Sequence, residues 1–214
     1  MSNHNNHNNH NNLGNLEYVH ITKTGGTSIE EWGQKNNIQW GFKKYWHFDK
    51  KLKTFDFNQK WHAPPQYFID NPYQNKKTFT CVRNPYTRII SEYYCPWSGS
   101  KKLEKNDKVE FNEWIQNLLK NRETINGTPQ HLYLPVDYVI KFESIQDDFT
   151  SLIKNISQNS DINTLLPHSN KSRKTKTKFT ENDLFDETII EINKKYANDF
   201  SMFDYEIKKI DYKN

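Results

Sequence analysis

Short apolar runs alternate along the chain with segments whose apolar residues recur every three to four positions. The strand-like runs cover residues 17–21, 41–48, 77–82 and 138–142. Helical patterns or helix-start signals follow them, at residues 28–36, 64–71, 85–94, 111–119, 144–156 and 181–198. Strands that alternate with helices favour a mainly parallel sheet, because each helix carries the chain back across the sheet. The pattern therefore predicts an α/β domain in which helices flank a central sheet.

The chain of 214 residues is long enough for one domain of ordinary size, which buries about 70% of its unfolded surface. Only 34% of the residues are hydrophobic, but the aromatic share of 14% is higher than disordered chains carry. Residues 4–12 form a His-Asn-Asn repeat with nothing to bury. We therefore expect a disordered Asn/His-rich tail over residues 1–15, with solvated histidines, and a single folded domain over residues 16–214.

Neither a membrane anchor nor a secretion signal is evident. No apolar run reaches the ~18 residues that span a bilayer, and the polar N-terminus lacks the apolar stretch of a signal peptide. We therefore expect a cytoplasmic protein that makes no membrane contact. Cys81 and Cys95 lie outside any CxxC pair, so neither a disulfide framework nor a four-ligand zinc site is expected.

The charges are nearly balanced, since 30 basic and 26 acidic residues leave a net charge of +4. Such a balance does not predict nucleic-acid binding. The choice of cation is more informative, because only four of the basic residues are arginines, at positions 83, 88, 122 and 173. Arginine grips a phosphate with two parallel hydrogen bonds, which lysine cannot do, so the places of these arginines bear on function.

The first predicted strand leads into Lys23-Thr24-Gly25-Gly26-Thr27-Ser28 and then into a helix that Thr27 and Ser28 are expected to cap. Backbone N–H groups, the helix dipole and one ammonium group would converge there and attract an anion. Adjacent glycines let the backbone approach a phosphate closely. A Walker A loop has its lysine after the last glycine, whereas Lys23 precedes both glycines, which argues against an ordinary NTPase.

The predicted strand at 77–82 ends on a second turn with polar residues. Arg83 stands at the strand end, Pro85 suits the first position of a helix, and Ser91 follows about two turns into that helix. A guanidinium and a hydroxyl in these places could share one phosphate. Taken alone, the turn fits a structural ion pair better, but its pairing with the first loop favours a ligand site.

Together the two turns, residues 20–28 and 81–88, resemble the carbohydrate sulfotransferases that use 3′-phosphoadenosine-5′-phosphosulfate (PAPS), of the Golgi type that modifies glycosaminoglycans. The likeness continues through residues 138–143, Asp148, residues 166–172 and residues 199–205. The family usually has proline where Thr22 stands. The expected absence of a membrane anchor is a larger departure and places the usual extracellular-matrix acceptors in doubt.

The resemblance implies a three-layer, P-loop-like sulfotransferase fold and a role for each turn. The loop of Lys23, Thr24, Gly25, Gly26, Thr27 and Ser28 would bind the 5′-phosphosulfate of PAPS, and Arg83 with Ser91 would bind its 3′-phosphate. Lys23 would also stabilise the leaving phosphate in the place that a metal takes in kinases, so no metal is expected. The basic stretch with Lys171, Ser172 and Arg173 would fold over the 3′-phosphate as a clamp.

The acceptor hydroxyl needs a base, and a neutral histidine suits this role near pH 7. The resemblance to the glycosaminoglycan enzymes favours His62 as this base, because their catalytic histidine stands before the corresponding short helix, here at 64–71. His47 and His131 remain alternatives. The acceptor itself, expected to be a carbohydrate, cannot be read from variable loops.

Two other functions remain open for this chain. One is a nucleotide kinase or NTPase, against which the position of Lys23 and the absence of evident acidic metal ligands argue. The other is a non-catalytic module that binds anions or nucleic acid through residues 171–178.

Overall fold

The computed structural model describes residues 13–41, 44, 60–95, 107–120, 125–157, 161–168 and 179–210. Three parallel strands form an open sheet in the order β1 (Leu16–Val19), β2 (Lys77–Val82) and β3 (Tyr138–Lys141). Pairing sets Tyr18 opposite Phe79 and Cys81 opposite Ile140. The carboxyl ends of the three strands therefore lie at one edge of the sheet, where parallel α/β proteins bind ligands.

Six α-helices accompany the sheet in the described part of the chain: α1 (Gly26–Lys35), α2 (Pro85–Tyr93), α3 (Lys108–Lys120), α4 (Ile145–Ser157), α5 (Asp186–Lys195) and α6 (Ala197–Met202). Short 3₁₀ turns lie at Lys60–His62, Pro65–Tyr67, Ile125–Gly127, Gln130–Tyr133, Phe142–Ser144 and Glu181–Asp183. The prediction of an α/β domain with a parallel sheet is confirmed.

The alternation of side chains along the strands divides the core. Tyr18 of β1 and Phe79 of β2 join a cluster that also includes Trp32 of α1 and Phe149 of α4. Val19 of β1 belongs to a different cluster, because successive residues of a strand point to opposite faces. Each large side chain buried in this way contributes about 1.5–3 kcal/mol. Packing on both faces fixes the strand ends on which the site depends.

Helix α2 is held by neighbouring helices rather than by the sheet alone. Its buried residues Tyr86, Ile89, Ile90 and Tyr93 follow helical spacing and pack in a cluster with residues of α3, α5 and α6. Because α2 begins directly after Arg83, this cluster also fixes the second predicted turn.

Two local predictions are wrong. Thr27 and Ser28 do not cap α1, because the helix begins at Gly26 and its cap is Gly25, in the left-handed conformation without a side-chain hydrogen bond. The single helix expected over residues 181–198 is divided into a 3₁₀ turn and two α-helices, since the backbone is extended at Phe185 and departs from helical geometry at Tyr196.

Some predictions fall on residues outside the described ranges. These are the tail at residues 1–12, most of the strand at 41–48, His47, and the clamp of Lys171, Ser172 and Arg173. Leu13 is described and is fully buried in the cluster with Tyr18 and Trp32, so packing begins ahead of residue 16.

Candidate active site

The loop between β1 and α1 has an unusual backbone. Lys23 has φ 63° and Gly25 has φ 87°, both in the left-handed region. Glycine adopts this conformation freely, but for lysine it costs about 1–2 kcal/mol. The Thr24 hydroxyl is buried and donates to the Ile21 carbonyl at 2.9 Å, which tightens the turn. Strain held at one lysine beside a helix N-terminus is typical of a functional loop.

Gly26 is required by the histidine that lies against it. A Cβ at this position would meet the His20 Nε2 atom at 2.0 Å. The other ring nitrogen of His20, Nδ1, lies 2.5 Å from Glu30 Oε1, and both side chains are buried. The Glu30 carboxylate on α1 therefore fixes the His20 ring against the start of that helix.

The second turn places Arg83 beside the first loop. Pro85 starts α2, and the Asn84 side chain caps it by accepting from the Tyr86 N–H at 2.9 Å. The Arg83 guanidinium donates to Thr87 Oγ1 at 3.0 Å and to the Lys23 carbonyl at 3.2 Å. Ser91 lies one turn beyond Thr87, on the same face of α2. Arg83, Thr87 and Ser91 thus form one polar stripe.

The guanidinium of Arg83 is also held by an aromatic ring. Its central carbon lies 4.1 Å from the centroid of Phe142, in the 3₁₀ turn that follows β3. Burial lowers the pKa of Arg83, and the nearby Glu143 carboxylate opposes that shift. Phe142 also lies under Gly25, where an added Cβ would come within 3.2 Å of the ring. All three strand ends therefore contribute to the same small region.

Arg88, on α2, connects the first loop to the segment around Thr128. This buried side chain donates to the Thr22 carbonyl at 3.3 Å and to the Thr128 carbonyl at 2.7 Å. The Thr22 hydroxyl is buried and has no hydrogen-bond partner among the described residues.

His62 lies next to His20 at the end of a 3₁₀ turn. The two rings meet edge to face with centroids 4.3 Å apart, and His62 Nδ1 lies 3.2 Å from the His20 carbonyl. A carbonyl only accepts, so Nδ1 carries the proton and Nε2 is left as the basic nitrogen. Burial lowers the pKa of His62 well below its usual 6.5, and His20 and the Lys23 ammonium lower it further. His62 is therefore neutral at pH 7, with Lys23 nearby.

This lowered pKa makes folding stability depend on pH. The unfolded chain binds a proton at His62 from about pH 6.5 downward and the folded chain does not, so stability falls as pH drops below about 6.5. We expect the melting temperature of His62→Gln to fall less between pH 7.5 and 5.5 than that of the wild type. The exposed His168, replaced by glutamine, is the matched control. Identical pH slopes for the wild type and His62→Gln would contradict the lowered pKa.

Comparison with known proteins gives the family of the chain. A model of the sulfotransferase family matches residues 9–206, which is most of the chain. The chain belongs to the sulfotransferase family. No significant match to a curated protein or to a solved structure was found. Membership supports sulfuryl transfer as the general reaction of this transferase.

The candidate site gathers most of the residues that the sequence singled out. Lys23, Gly25 and Gly26 lie in the first loop, Arg83 is hydrogen-bonded to that loop, and His62 lies against it. Thr27 and Ser28 are half-buried in the first turn of α1, which has no acidic residue to repel an anion. His131 has a different environment, since its Nδ1 lies 2.7 Å from the buried carboxylate of Asp199.

Several residues that shape the site were not predicted from the sequence. Arg88 and Asp199 stand inside the segments that carry the family resemblance, but no role was expected for them. Glu30, Gln130 and Tyr133 gave no sequence signal, because each acts through a partner that is distant along the chain.

Among the described residues, no helix is both long and apolar enough to cross a membrane.

Proposed function

We propose that this sulfotransferase moves a sulfuryl group from PAPS to a hydroxyl of a carbohydrate-like acceptor. The observation that carries the proposal is the direct contact between the two turns, Arg83 to the Lys23 carbonyl, with a neutral histidine beside them. A donor with a phosphosulfate at one end and a phosphate at the other needs two cationic turns at a fixed separation. A kinase-like site would instead need its lysine after the glycines.

In this proposal the donor lies across the carboxyl edge of the sheet. Its 5′-phosphosulfate meets the N–H groups of the α1 N-terminus, whose first turn has no acidic side chain. Its 3′-phosphate meets the polar stripe of Arg83 and Ser91. Thr24 would bind through its backbone alone, since its hydroxyl is committed to Ile21. The predicted clamp of Lys171, Ser172 and Arg173 would fold over the 3′-phosphate.

The transfer needs one base and one cation at the bridging oxygen. His62 Nε2 takes the proton of the acceptor hydroxyl, whose oxygen forms the new bond to sulfur as the bond from sulfur to the phosphate oxygen breaks. The Lys23 ammonium stabilises the negative charge that develops on that oxygen. The left-handed backbone of Lys23 fixes the direction in which its side chain leaves the loop. The products are the sulfated acceptor and adenosine 3′,5′-bisphosphate.

Calorimetric titration with adenosine 3′,5′-bisphosphate tests the donor site. We expect the wild type to bind the bisphosphate and to bind ATP much more weakly, because ATP has no 3′-phosphate for Arg83. Equal affinity for ATP would support the nucleotide kinase instead. Binding of polyanions with steep salt dependence, and none of the bisphosphate, would support the non-catalytic module.

Arg83→Lys keeps the charge but is expected to weaken bisphosphate binding by about 1.5–3 kcal/mol, the range for a hydrogen bond to a charged group. An ammonium cannot bind Thr87, the Lys23 carbonyl and a phosphate with the geometry of the guanidinium. The titration measures the dissociation constant directly. Lys154→Arg, on the exposed face of α4, is the control, and an unchanged constant for Arg83→Lys would assign Arg83 a purely structural role.

A further inference from the structure

The short 3₁₀ turn Gln130–Tyr133 contacts both halves of the site. At its start, the Gln130 side chain accepts from the Arg83 N–H and donates to the Arg83 carbonyl, each at 2.8 Å. At its end, the Tyr133 hydroxyl donates to the His62 carbonyl at 2.7 Å. Gln130 and Tyr133 are fully buried. One turn therefore holds the main chain of the proposed donor-binding arginine and that of the proposed base.

Gln130 extends the sheet by one residue. Strand β2 ends at Val82, so no neighbouring strand pairs with Arg83 in the described structure. The amide of Gln130 offers an acceptor and a donor in the arrangement of a strand backbone and takes that place. The N–H and the carbonyl of Arg83 are therefore both bound by a single side chain.

The turn is itself fixed by Asp199 of α6. The carboxylate of Asp199 accepts from the Gln130 N–H at 2.8 Å, from the His131 N–H at 2.9 Å and from His131 Nδ1 at 2.7 Å. Asp199 is fully buried, so this carboxylate has exchanged water for these three donors. Removing them would leave a buried charge without partners, which makes the arrangement rigid.

We infer that Asp199 and the turn Gln130–Tyr133 are a positioning unit that sets the separation between Arg83 and His62. This inference rests on the proposed function, in which the donor binds at Arg83 and the acceptor proton leaves to His62. In this proposal the unit contacts neither the donor nor the acceptor. Its two ends act on different steps, since Gln130 governs donor binding and Tyr133 governs proton transfer.

Variants at the two ends of the unit should affect bisphosphate binding and kcat separately, which a general loss of stability would not do. Gln130→Met removes both bonds to Arg83 with little change of volume and is expected to weaken bisphosphate binding about 10-fold. Tyr133→Phe is expected to leave that binding unchanged and to lower the kcat of PAPS hydrolysis about 10-fold or more, because small displacements of a catalytic group are costly. Asp199→Asn should impair both quantities.

Matched controls are available in the same chain. Gln116→Met removes a side-chain bond to Thr188, and Tyr196→Phe removes a buried hydroxyl that donates to the Gly127 carbonyl. Both should change the melting temperature without changing bisphosphate affinity or kcat. Calorimetry and PAPS hydrolysis, measured on folded protein, give the two readouts.

The outcomes separate this inference from the function on which it rests. A wild type that binds the bisphosphate and hydrolyses PAPS, with Gln130→Met and Tyr133→Phe equal to it in both readouts, overturns the positioning unit alone. A wild type that does neither overturns the proposed function and the inference with it. Tyr133→Phe removes a single oxygen, so its kcat decides the question if Gln130→Met does not fold.

Discussion

His62→Ala is expected to lower kcat by about 10²- to 10⁴-fold, the usual contribution of a positioned general base. The Nδ1 proton of His62 is directed to the His20 carbonyl, which leaves Nε2 to accept the acceptor proton. The variant keeps the His62 main-chain carbonyl that Tyr133 binds, so the turn should stay in place. Donor affinity should therefore be unchanged. Hydrolysis of PAPS, with water as the acceptor, measures kcat without a known carbohydrate.

The pH profile makes this prediction specific. Because the pKa of His62 is lowered, wild-type kcat should fall only at pH values below about 6.5, and the variant should lack this acidic limb. The corresponding variants of His131 and of the exposed His168 are the comparisons. If His62→Ala keeps wild-type turnover and His131→Ala or His47→Ala loses it, the base is another histidine.

Lys23→Ala is expected to lower the transfer rate by about 10²- to 10³-fold, as for the loss of one preorganised donor at a developing negative charge. Unlike His62→Ala, it should also weaken bisphosphate binding, because in the proposed function the Lys23 ammonium binds the 5′ side of the donor. The two measurements together distinguish a group that contacts the donor from one that contacts only the acceptor. Lys154→Ala, on the exposed face of α4, is the control for loss of a lysine.

Lys23→Gly adds a test of the strained backbone. Glycine accepts φ 63° without penalty, so this variant should be more stable than Lys23→Ala by roughly 1 kcal/mol while being equally inactive. Urea unfolding gives the two stabilities. Substantial turnover in either variant would mean that Lys23 is not the cation at the leaving oxygen, and the proposed mechanism would be wrong.

Local patterns in the sequence were sufficient for the fold class and for the two turns. The strand at 77–82 and the helix after Pro85 lie where they were predicted, because the apolar run, the Asn84 cap and the proline act within a few residues of each other. Charge and glycine order at Lys23–Gly26 likewise predicted an anion-binding loop, and this role stays a prediction. The helix expected over 181–198 was not predicted correctly, because neighbouring elements decide where a weak amphipathic pattern breaks.

What only the tertiary structure decided is how these turns are held. Gly26 could be read as a flexible residue, but its need for glycine comes from the His20 ring that occupies the place of a Cβ. Gln130, Tyr133 and Asp199 have no local signal, because their hydrogen bonds reach partners 47 to 71 positions away in the chain. The sequence by itself determined which charged side chains and glycines the two turns carry, because that depends on residue type and near spacing. The separation and orientation of the reacting groups depend on long-range packing, which only the folded chain specifies.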